Sequence, residues 1–147
     1  MNEKIGKVLR FIVENLRGVD YVLVGSVNLR IQGINLEPRD IDISTSMEGA
    51  RKIERLLKEY QKQEIRFEKR SGFSAFRAIY KIDNIEVEVL GNLNSLARPK
   101  DFLDRKIKVD YKGITIPCVS LEDELVAYKY MKREEKVKLI EDKINEN

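Results

Sequence analysis

The chain has 147 residues, of which 42% are hydrophobic and 36% charged, and 28 Lys and Arg against 25 Asp and Glu give it a net charge of +3. This length and apolar share suit one domain with one core, and the periodic apolar blocks exclude a wholly disordered chain. No apolar run approaches the ~18 residues of a membrane span, so no membrane partner is expected. The small net charge does not by itself indicate a nucleic-acid-binding protein.

Residue usage narrows the possible chemistry further. The chain has no histidine and one cysteine, Cys118. This excludes Cys/His zinc sites, histidine-based catalytic triads and an internal disulfide. Any catalysis must therefore use carboxylates, hydroxyls, amines or the backbone. The N-terminal residues lack the apolar core of a signal peptide, so we expect a cytoplasmic protein. The richness in Lys and Glu is typical of a thermophilic source.

The first third of the chain alternates predicted helices and strands. Apolar residues between 3 and 16 recur with helical spacing, which predicts an amphipathic helix. A short buried strand is expected over 21–24, and Gly25-Ser26 opens a short helix that continues to about Ile31. The segment 40–44 alternates acids with isoleucines, which is the periodicity of a strand.

A third helix and a series of hairpins are predicted next. Thr45 and Glu48 have the spacing of a capping box, which predicts that Thr45 caps this helix. The later predicted elements are strands near 65–67, 76–82 and 85–90, turns at 71–72 and 83–84, a loop over 91–99, and a hairpin of strands 107–111 and 114–118. Ser120 and Asp123 fit the cap of a helix to about residue 132, and a charged helical tail follows to Asn147.

This order of elements predicts the fold class. Helices and strands are interleaved early and hairpins cluster late, which is typical of an α/β (α+β) fold with a mixed β-sheet flanked by helices. We expect a single domain over 1–147, with its core at about 20–118 and flanking helices at 3–16 and 120–145.

The segment Asp40-Ile41-Asp42-Ile43 carries the most specific chemical signal. Aspartate is depleted in strands, so two in one short strand need an explanation. At positions i and i+2 both carboxylates leave the same face of the strand. Two anions held together in this way repel each other unless a cation such as Mg²⁺ binds them. The alternative is a solvated edge strand whose polar residues face water.

Two other segments add to this signal. Ile85-Glu86-Val87-Glu88-Val89 puts two acids on one face of another predicted strand, and three carboxylates on neighbouring strands can hold metal ions for phosphoryl-type transfer. Their alternative is an exposed polar face. Gly25-Ser26 stands at a strand-to-helix turn, where free N–H groups suit a phosphate. A plain turn with a serine cap is the alternative there.

Together these residues resemble the nucleotidyltransferase superfamily that includes DNA polymerase beta. The family pattern is a hydrophobic residue, Gly and Gly or Ser, a spacer, then Asp-hydrophobic-Asp/Glu-hydrophobic. Here Val24-Gly25-Ser26 is followed by thirteen residues, 27–39, and then by Asp40-Ile41-Asp42-Ile43. A later acid between hydrophobic residues is Glu88. The similarity covers about residues 20–132 and is to small stand-alone, aminoglycoside-nucleotidyltransferase-like or toxin–antitoxin-type members.

The resemblance implies a nucleotidyltransferase-like core and an activity. The reaction would move a nucleoside monophosphate from a nucleoside triphosphate to a hydroxyl acceptor and release pyrophosphate, with Mg²⁺ or Mn²⁺ as cofactor. The implied metal ligands and catalytic residues are Asp40, Asp42 and Glu88, and the implied nucleotide-binding residues are Gly25, Ser26, Arg39 and Lys129. An ordinary exposed helix lysine is the alternative for Lys129.

The sequence departs from the family pattern at two places. The third acid is usually aspartate, and here Glu86, on the same face as Glu88, could take that role. Related proteins often carry Arg-x-Lys-Asp in the last helix, whereas the segment 133–137, Arg-Glu-Glu-Lys-Val, lacks the aspartate. No role is therefore assigned to that segment.

The acceptor and other functions stay open at this point. The acceptor could be a small molecule, a protein side chain or a tRNA end, and a protein partner or a homodimer could complete the cleft. A catalytically silent binding module or toxin–antitoxin component is the alternative function. A third is an RNA-binding protein that uses the basic stretches 66–81 and 98–112.

Overall fold

A computed structural model describes residues 1–146, in which five α-helices and seven β-strands follow one another. The helices are α1 Glu3–Asn15, α2 Gly25–Ile31, α3 Met47–Leu56, α4 Leu121–Tyr130 and α5 Glu134–Ile144. The strands are β1 Tyr21–Val24, β2 Ile41–Thr45, β3 Gln61–Arg70, β4 Phe73–Ile82, β5 Ile85–Ser95, β6 Ile107–Tyr111 and β7 Ile114–Cys118. None of the helices in this part of the chain has the length and hydropathy that crossing a bilayer would need.

The seven strands form one sheet in the order β3-β4-β5-β2-β1-β7-β6. The β1–β7 and β2–β5 pairs are parallel, and the remaining neighbours are antiparallel. This confirms the predicted α/β fold with a mixed sheet and flanking helices. The topology places β2, with its two-acid motif, between β1 and β5 at the centre of the sheet.

Helices α1 and α3 cover one face of the central strands. Their apolar residues form the main core with the isoleucines of β2 and the valines of β5: Ile5, Leu9, Ile12, Ala50, Ile53, Ile41, Ile43, Val87 and Val89. Ile41 and Ile43 are 0% and 1% exposed, so strand alternation turns Asp42 toward the other face. A slip by one residue would put the carboxylate in the apolar core, which fixes the register of β2.

Two predicted local features are wrong. Ser46, not Thr45, caps α3, because its Oγ accepts a hydrogen bond from Gly49 N–H at 2.9 Å. Thr45 ends β2 instead, and its hydroxyl donates to the Asp20 carbonyl at 2.6 Å. The predicted loop over 91–99 begins later than expected, since β5 continues to Ser95.

The predicted cap of α4 is confirmed, with Asp123 N–H donating to Ser120 Oγ at 3.1 Å. Asn147, predicted as the end of the helical tail, lies outside the described residues.

Candidate active site

The two aspartates of the motif occupy the start of β2. Asp40 is exposed just before the strand, and Asp42 is half-buried within it. Ile41 and Ile43, which alternate with the aspartates, pack in the core on the opposite face. The strand therefore holds both carboxylates toward the face that α1 and α3 leave uncovered.

Glu88 on β5 is the register partner of Asp42 on the parallel strand β2. Side chains at paired register positions lie on the same face of a sheet, so the structure brings Glu88 beside Asp42. Glu86 also faces this side, but it is exposed and lies opposite Lys81 of β4. Of the two glutamates that the sequence left open, Glu88 is the one paired with the aspartate motif.

Several acidic side chains lie near Asp42. Burial first, and then the nearby carboxylates of Glu88, Asp40, Glu124 and Glu86, raise the pKa of Asp42 from its ordinary 3.8 to about 7. Each of these acids makes the ionised form of Asp42 more costly. A cation at this position would reverse that cost, since it would favour the ionised carboxylate.

Arg77 on β4 holds Glu88 from the side away from β2. Its Nε donates to Glu88 Oε2 at 2.7 Å, and its Nη1 lies 3.5 Å from Glu68 Oε1 on β3. All three side chains are less than one-third exposed. Arg77 therefore fixes one carboxylate oxygen of Glu88 and leaves the other, Oε1, for a further contact.

Gly25 lies close to the Asp42 side chain. Its φ of +76° lies in the left-handed region, and a Cβ added there would stand 2.6 Å from Asp42 Oδ2. Glycine is thus required both by the backbone conformation and by the space available. The Gly25 N–H donates to Glu124 Oε2 at 2.9 Å, so this amide, predicted to be free for a phosphate, is already hydrogen-bonded.

A cavity of about 250 Å³ opens beside the two aspartates. Its lining residues are Ser26, Glu37, Pro38, Arg39, Asp40 and Asp42. It brings together four of the predicted site residues, two acids, a hydroxyl and a guanidinium. Lys129 is exposed on α4 and its Nζ lies 3.6 Å from Glu141 Oε2, so the structure pairs it with α5 rather than with this cavity.

Two residues near the cavity were not assigned from the sequence. Lys136 on α5 donates from Nζ to Ser26 Oγ at 3.2 Å, so it adds a positive charge at the cavity wall. Glu124 on α4 is completely buried against Gly25. Lys136 and Ser26 are 110 residues apart, and only the packing of α5 brings them together. The basic residues of the segment Arg133-Glu134-Glu135-Lys136, where related proteins carry Arg-x-Lys-Asp, are the available sequence signal for Lys136.

The donor set fits a hard divalent cation. Carboxylate oxygens are the ligands that Mg²⁺ prefers, and it is commonly held by one or two carboxylates, with water and substrate phosphates completing its shell. Within residues 1–146, no group of three or more acidic or cysteine side chains is arranged to hold a metal by itself. Asp40 and Asp42, with the raised pKa of Asp42, suit an ion that arrives with a polyphosphate.

The fold and this site define a nucleotidyltransferase-like protein, and comparison with known proteins identifies the family. The model of the aminoglycoside-2″-adenylyltransferase family matches residues 8–142, and the chain belongs to that family. This confirms the resemblance inferred from the sequence. No curated protein matches the chain significantly by sequence.

The solved structures that are similar to the chain include the following two. The crystal structure of a proposed nucleotidyltransferase from Thermotoga maritima is 32% identical, with a TM-score of 0.83 over 100% of this chain and 96% of that one. The structure of ANT(2″)-Ia in complex with adenylyl-2″-tobramycin is 12% identical, with a TM-score of 0.62 over 95% of this chain and 88% of that one. At that identity, the second likeness concerns the fold alone.

Proposed function

We propose that the protein transfers a nucleoside monophosphate from a nucleoside triphosphate to a hydroxyl acceptor, releases pyrophosphate, and needs Mg²⁺ or Mn²⁺ to do so. The observation that carries this proposal is the pairing of Asp42 with Glu88 across β2 and β5, next to Asp40 and the Gly25-Ser26 turn. Membership of an adenylyltransferase family supports nucleotide transfer in general. The metal dependence is inferred from the acids, and the release of pyrophosphate is inferred from the resemblance to nucleotidyltransferases.

The cavity beside Ser26 is the proposed place of the triphosphate. Asp40 and Asp42 would hold the metal ion, which when bound would neutralise phosphate charge. Arg39 lines the cavity and Lys136 reaches Ser26 Oγ. Both can offset negative charge on the phosphates, including the charge that the pyrophosphate gains as it leaves. This gives Arg39 and Ser26 the nucleotide-binding roles that the resemblance implies and adds Lys136 to them.

Glu88 is the proposed acceptor of the hydroxyl proton. Arg77 occupies its Oε2, so Oε1 is the atom that would take the proton. The acceptor oxygen then forms a bond to the α-phosphorus while the bond from that phosphorus to pyrophosphate breaks. Arg77 keeps the carboxylate oriented during this exchange, because a charge-assisted hydrogen bond fixes its geometry.

One observation favours a second candidate function, a nucleotide-binding module without turnover. The Gly25 amide, which the resemblance assigns to the triphosphate, already has a partner in the structure, since it donates a hydrogen bond to Glu124. A module of this kind would bind nucleotide through Asp40, Asp42 and Ser26 and transfer nothing. Metal-dependent binding without product in the presence of varied hydroxyl acceptors would support it.

Calorimetric titration tests the proposed function. ATP, GTP, CTP and UTP are each titrated into the wild-type chain with Mg²⁺ and with EDTA, and into the Asp40→Asn/Asp42→Asn variant. We expect at least one nucleotide to bind to the wild-type chain with Mg²⁺. We expect no binding to the wild type in EDTA and none to the double variant. If a folded wild-type chain binds none of the four nucleotides, the proposed function is wrong.

A further inference from the structure

Glu124 on α4 is 0% exposed although it carries a carboxylate. Its Oε2 accepts hydrogen bonds from Gly25 N–H at 2.9 Å and from Asn28 Nδ2 at 3.1 Å. Its Oε1 accepts one from Arg98 Nη2 at 2.7 Å. The carboxylate therefore connects the turn between β1 and α2 with the loop that follows β5.

Stability alone does not account for this ion pair. The Arg98 side chain is only 11% exposed, so both charges lose most of their hydration, and apolar residues of similar volume often stabilise a fold as well or better. Arg98 Nη1 is also buried without a hydrogen-bond partner among residues 1–146, which adds a further cost. A pair with these costs is better explained by the geometry that it imposes.

The geometry in question is that of Gly25. Gly25 approaches Asp42 so closely that an added Cβ would stand 2.6 Å from Asp42 Oδ2. Its N–H donates a hydrogen bond to Glu124 at 2.9 Å. Asn28, one helical turn further on, is bound to the same carboxylate and to the Val119 carbonyl. A displacement or rotation of the Gly25 peptide would weaken or break its charge-assisted hydrogen bond to Glu124.

We propose that Glu124 and Arg98 are positioning residues that hold the Gly25-Ser26 turn against Asp42 and so set the shape of the nucleotide site. The proposal rests on the proposed function, since the turn and Asp42 form the site assigned to the triphosphate and the metal. Neither residue touches the substrate in this account. They act through Gly25.

Glu124→Gln tests the positioning of Gly25 separately from the packing of the side chain at position 124. The glutamine amide has nearly the shape of the carboxylate. In the wild type, hydrogen-bond donors face both carboxylate oxygens, whereas the amide has only one acceptor oxygen and an NH₂ group in place of the other. Either Gly25 N–H or Arg98 must then lose its acceptor. In the double variant Glu124→Gln/Arg98→Gln, the amide at position 98 can accept from the amide at position 124, which leaves an oxygen for Gly25 N–H. Glu122→Gln, on the same helix and exposed, is the matched control.

Two measurements are made on each variant: hydrogen exchange of the Gly25 amide by NMR, and the Kd of each of the four nucleotides with Mg²⁺. Compared with Glu122→Gln, we expect Glu124→Gln to speed exchange at Gly25 about tenfold, because the Gly25 N–H either loses its acceptor or keeps a neutral amide oxygen in place of a carboxylate. We expect it to weaken nucleotide binding about tenfold, the usual cost of losing a partner that orients a ligating group. The double variant should recover most of both losses.

The contrary result is specific. If Glu124→Gln lowers Tm but leaves Gly25 exchange and nucleotide Kd at the values of Glu122→Gln, the pair is only structural and the proposal is wrong. If Glu124→Gln does not fold, Arg98→Lys, which keeps the charge and removes the planar fork, must speed Gly25 exchange for the proposal to stand. If exchange responds as expected while the wild-type chain binds no nucleotide, the proposed function fails and the positioning of Gly25 by Glu124 stands.

Discussion

Asp42 and Glu88 are paired in register on the parallel strands β2 and β5, and Arg77 holds Glu88 from the far side at 2.7 Å. This arrangement gives the two acids different surroundings. Glu88 has a cationic partner, whereas Asp42 has acidic neighbours and partial burial, which raise its pKa to about 7. Asp42, which forms no ion pair within residues 1–146, is therefore the carboxylate that gains most from a bound cation.

The stability of the metal-free protein should depend on the ionisation of Asp42. Its pKa is raised in the folded state from 3.8 to about 7, so the folded chain keeps a proton that the unfolded chain releases. The free energy of unfolding should then fall as pH rises through this window, by roughly 1–3 kcal/mol, because partial exposure reduces the full ~1.4 kcal/mol per pH unit. Urea unfolding at stepped pH in EDTA measures this change.

Asp42→Asn is the control for that measurement, because it removes the titrating group. Its stability should vary less between pH 4 and pH 7 than that of the wild type, which follows from the same pKa difference. Asp104→Asn, an exposed aspartate elsewhere, should follow the wild type. If the stability of the wild type and of Asp42→Asn depends equally on pH, then burial and the neighbouring acids do not raise the pKa of Asp42.

Substitution of the two glutamates of β5 should separate their roles. Glu88→Gln should lower the rate of nucleotidyl transfer about 10²-fold or more, as loss of a general base does. Glu86→Gln should change it little, because Glu86 is exposed and faces Lys81 rather than Asp42. Product formation from labelled nucleoside triphosphate is the measurement. Equal losses in both variants would mean that the register pairing does not select the third acid.

Gly25→Ala should damage the site as well as the fold. The residue has φ of +76°, and the added Cβ would meet Asp42 Oδ2 at 2.6 Å. Gly113→Ala is a matched control, because Gly113 has φ of +86° and, its chain neighbours aside, none of the other described residues has an atom within 4 Å of the added Cβ. Both variants should lose roughly 1–2 kcal/mol of stability from left-handed strain. Nucleotide binding in calorimetry should be lost only in Gly25→Ala, and its retention there would contradict the close approach to Asp42.

Lys136 should contribute to nucleotide affinity through its charge at Ser26. Lys136→Gln is expected to weaken binding about tenfold, the value of one partly buried charge-assisted contact. Lys138→Gln is the control, since Lys138 is exposed on the same helix and pairs with Asp142. Titrations at two salt concentrations check the effect, because an electrostatic contribution should shrink as salt rises. If both lysine variants bind equally well, Lys136 has no role at the phosphates.

Local sequence patterns were sufficient to predict much of the fold. Strand alternation placed Ile41 and Ile43 inward and the aspartates outward, and Asp83-Asn84 marked a turn that has φ of 49° and 64° at these two residues. The errors also have local causes. Threonine and serine are both residue types that commonly cap helices. Whether Thr45 or Ser46 caps α3 therefore depends on whether β2 includes Thr45. Gly91 and Asn92 resemble a loop but lie within β5.

Long-range contacts in the site could not be predicted in this way. Glu124 reads as a surface residue in a charged helix, and its burial depends on Arg98 in a distant loop and on the Gly25 turn. The contact between Lys136 and Ser26 depends on how α5 packs. The pairing of Asp42 with Glu88 was anticipated only on the condition that their strands were neighbours, and the sheet order decides that condition.

The central claim is that Asp40 and Asp42 hold a divalent cation together with a nucleoside triphosphate. Electron paramagnetic resonance with Mn²⁺ tests it most directly, because free aqueous Mn²⁺ gives a sharp signal that is lost on binding. The titration is made with wild-type protein and each of four non-hydrolysable nucleotide analogues, and with Asp40→Asn/Asp42→Asn under the same conditions. We expect the wild-type chain with at least one analogue to remove the free signal beyond what that analogue removes alone, and the double variant not to do so. Equal signal loss in both proteins would contradict the account.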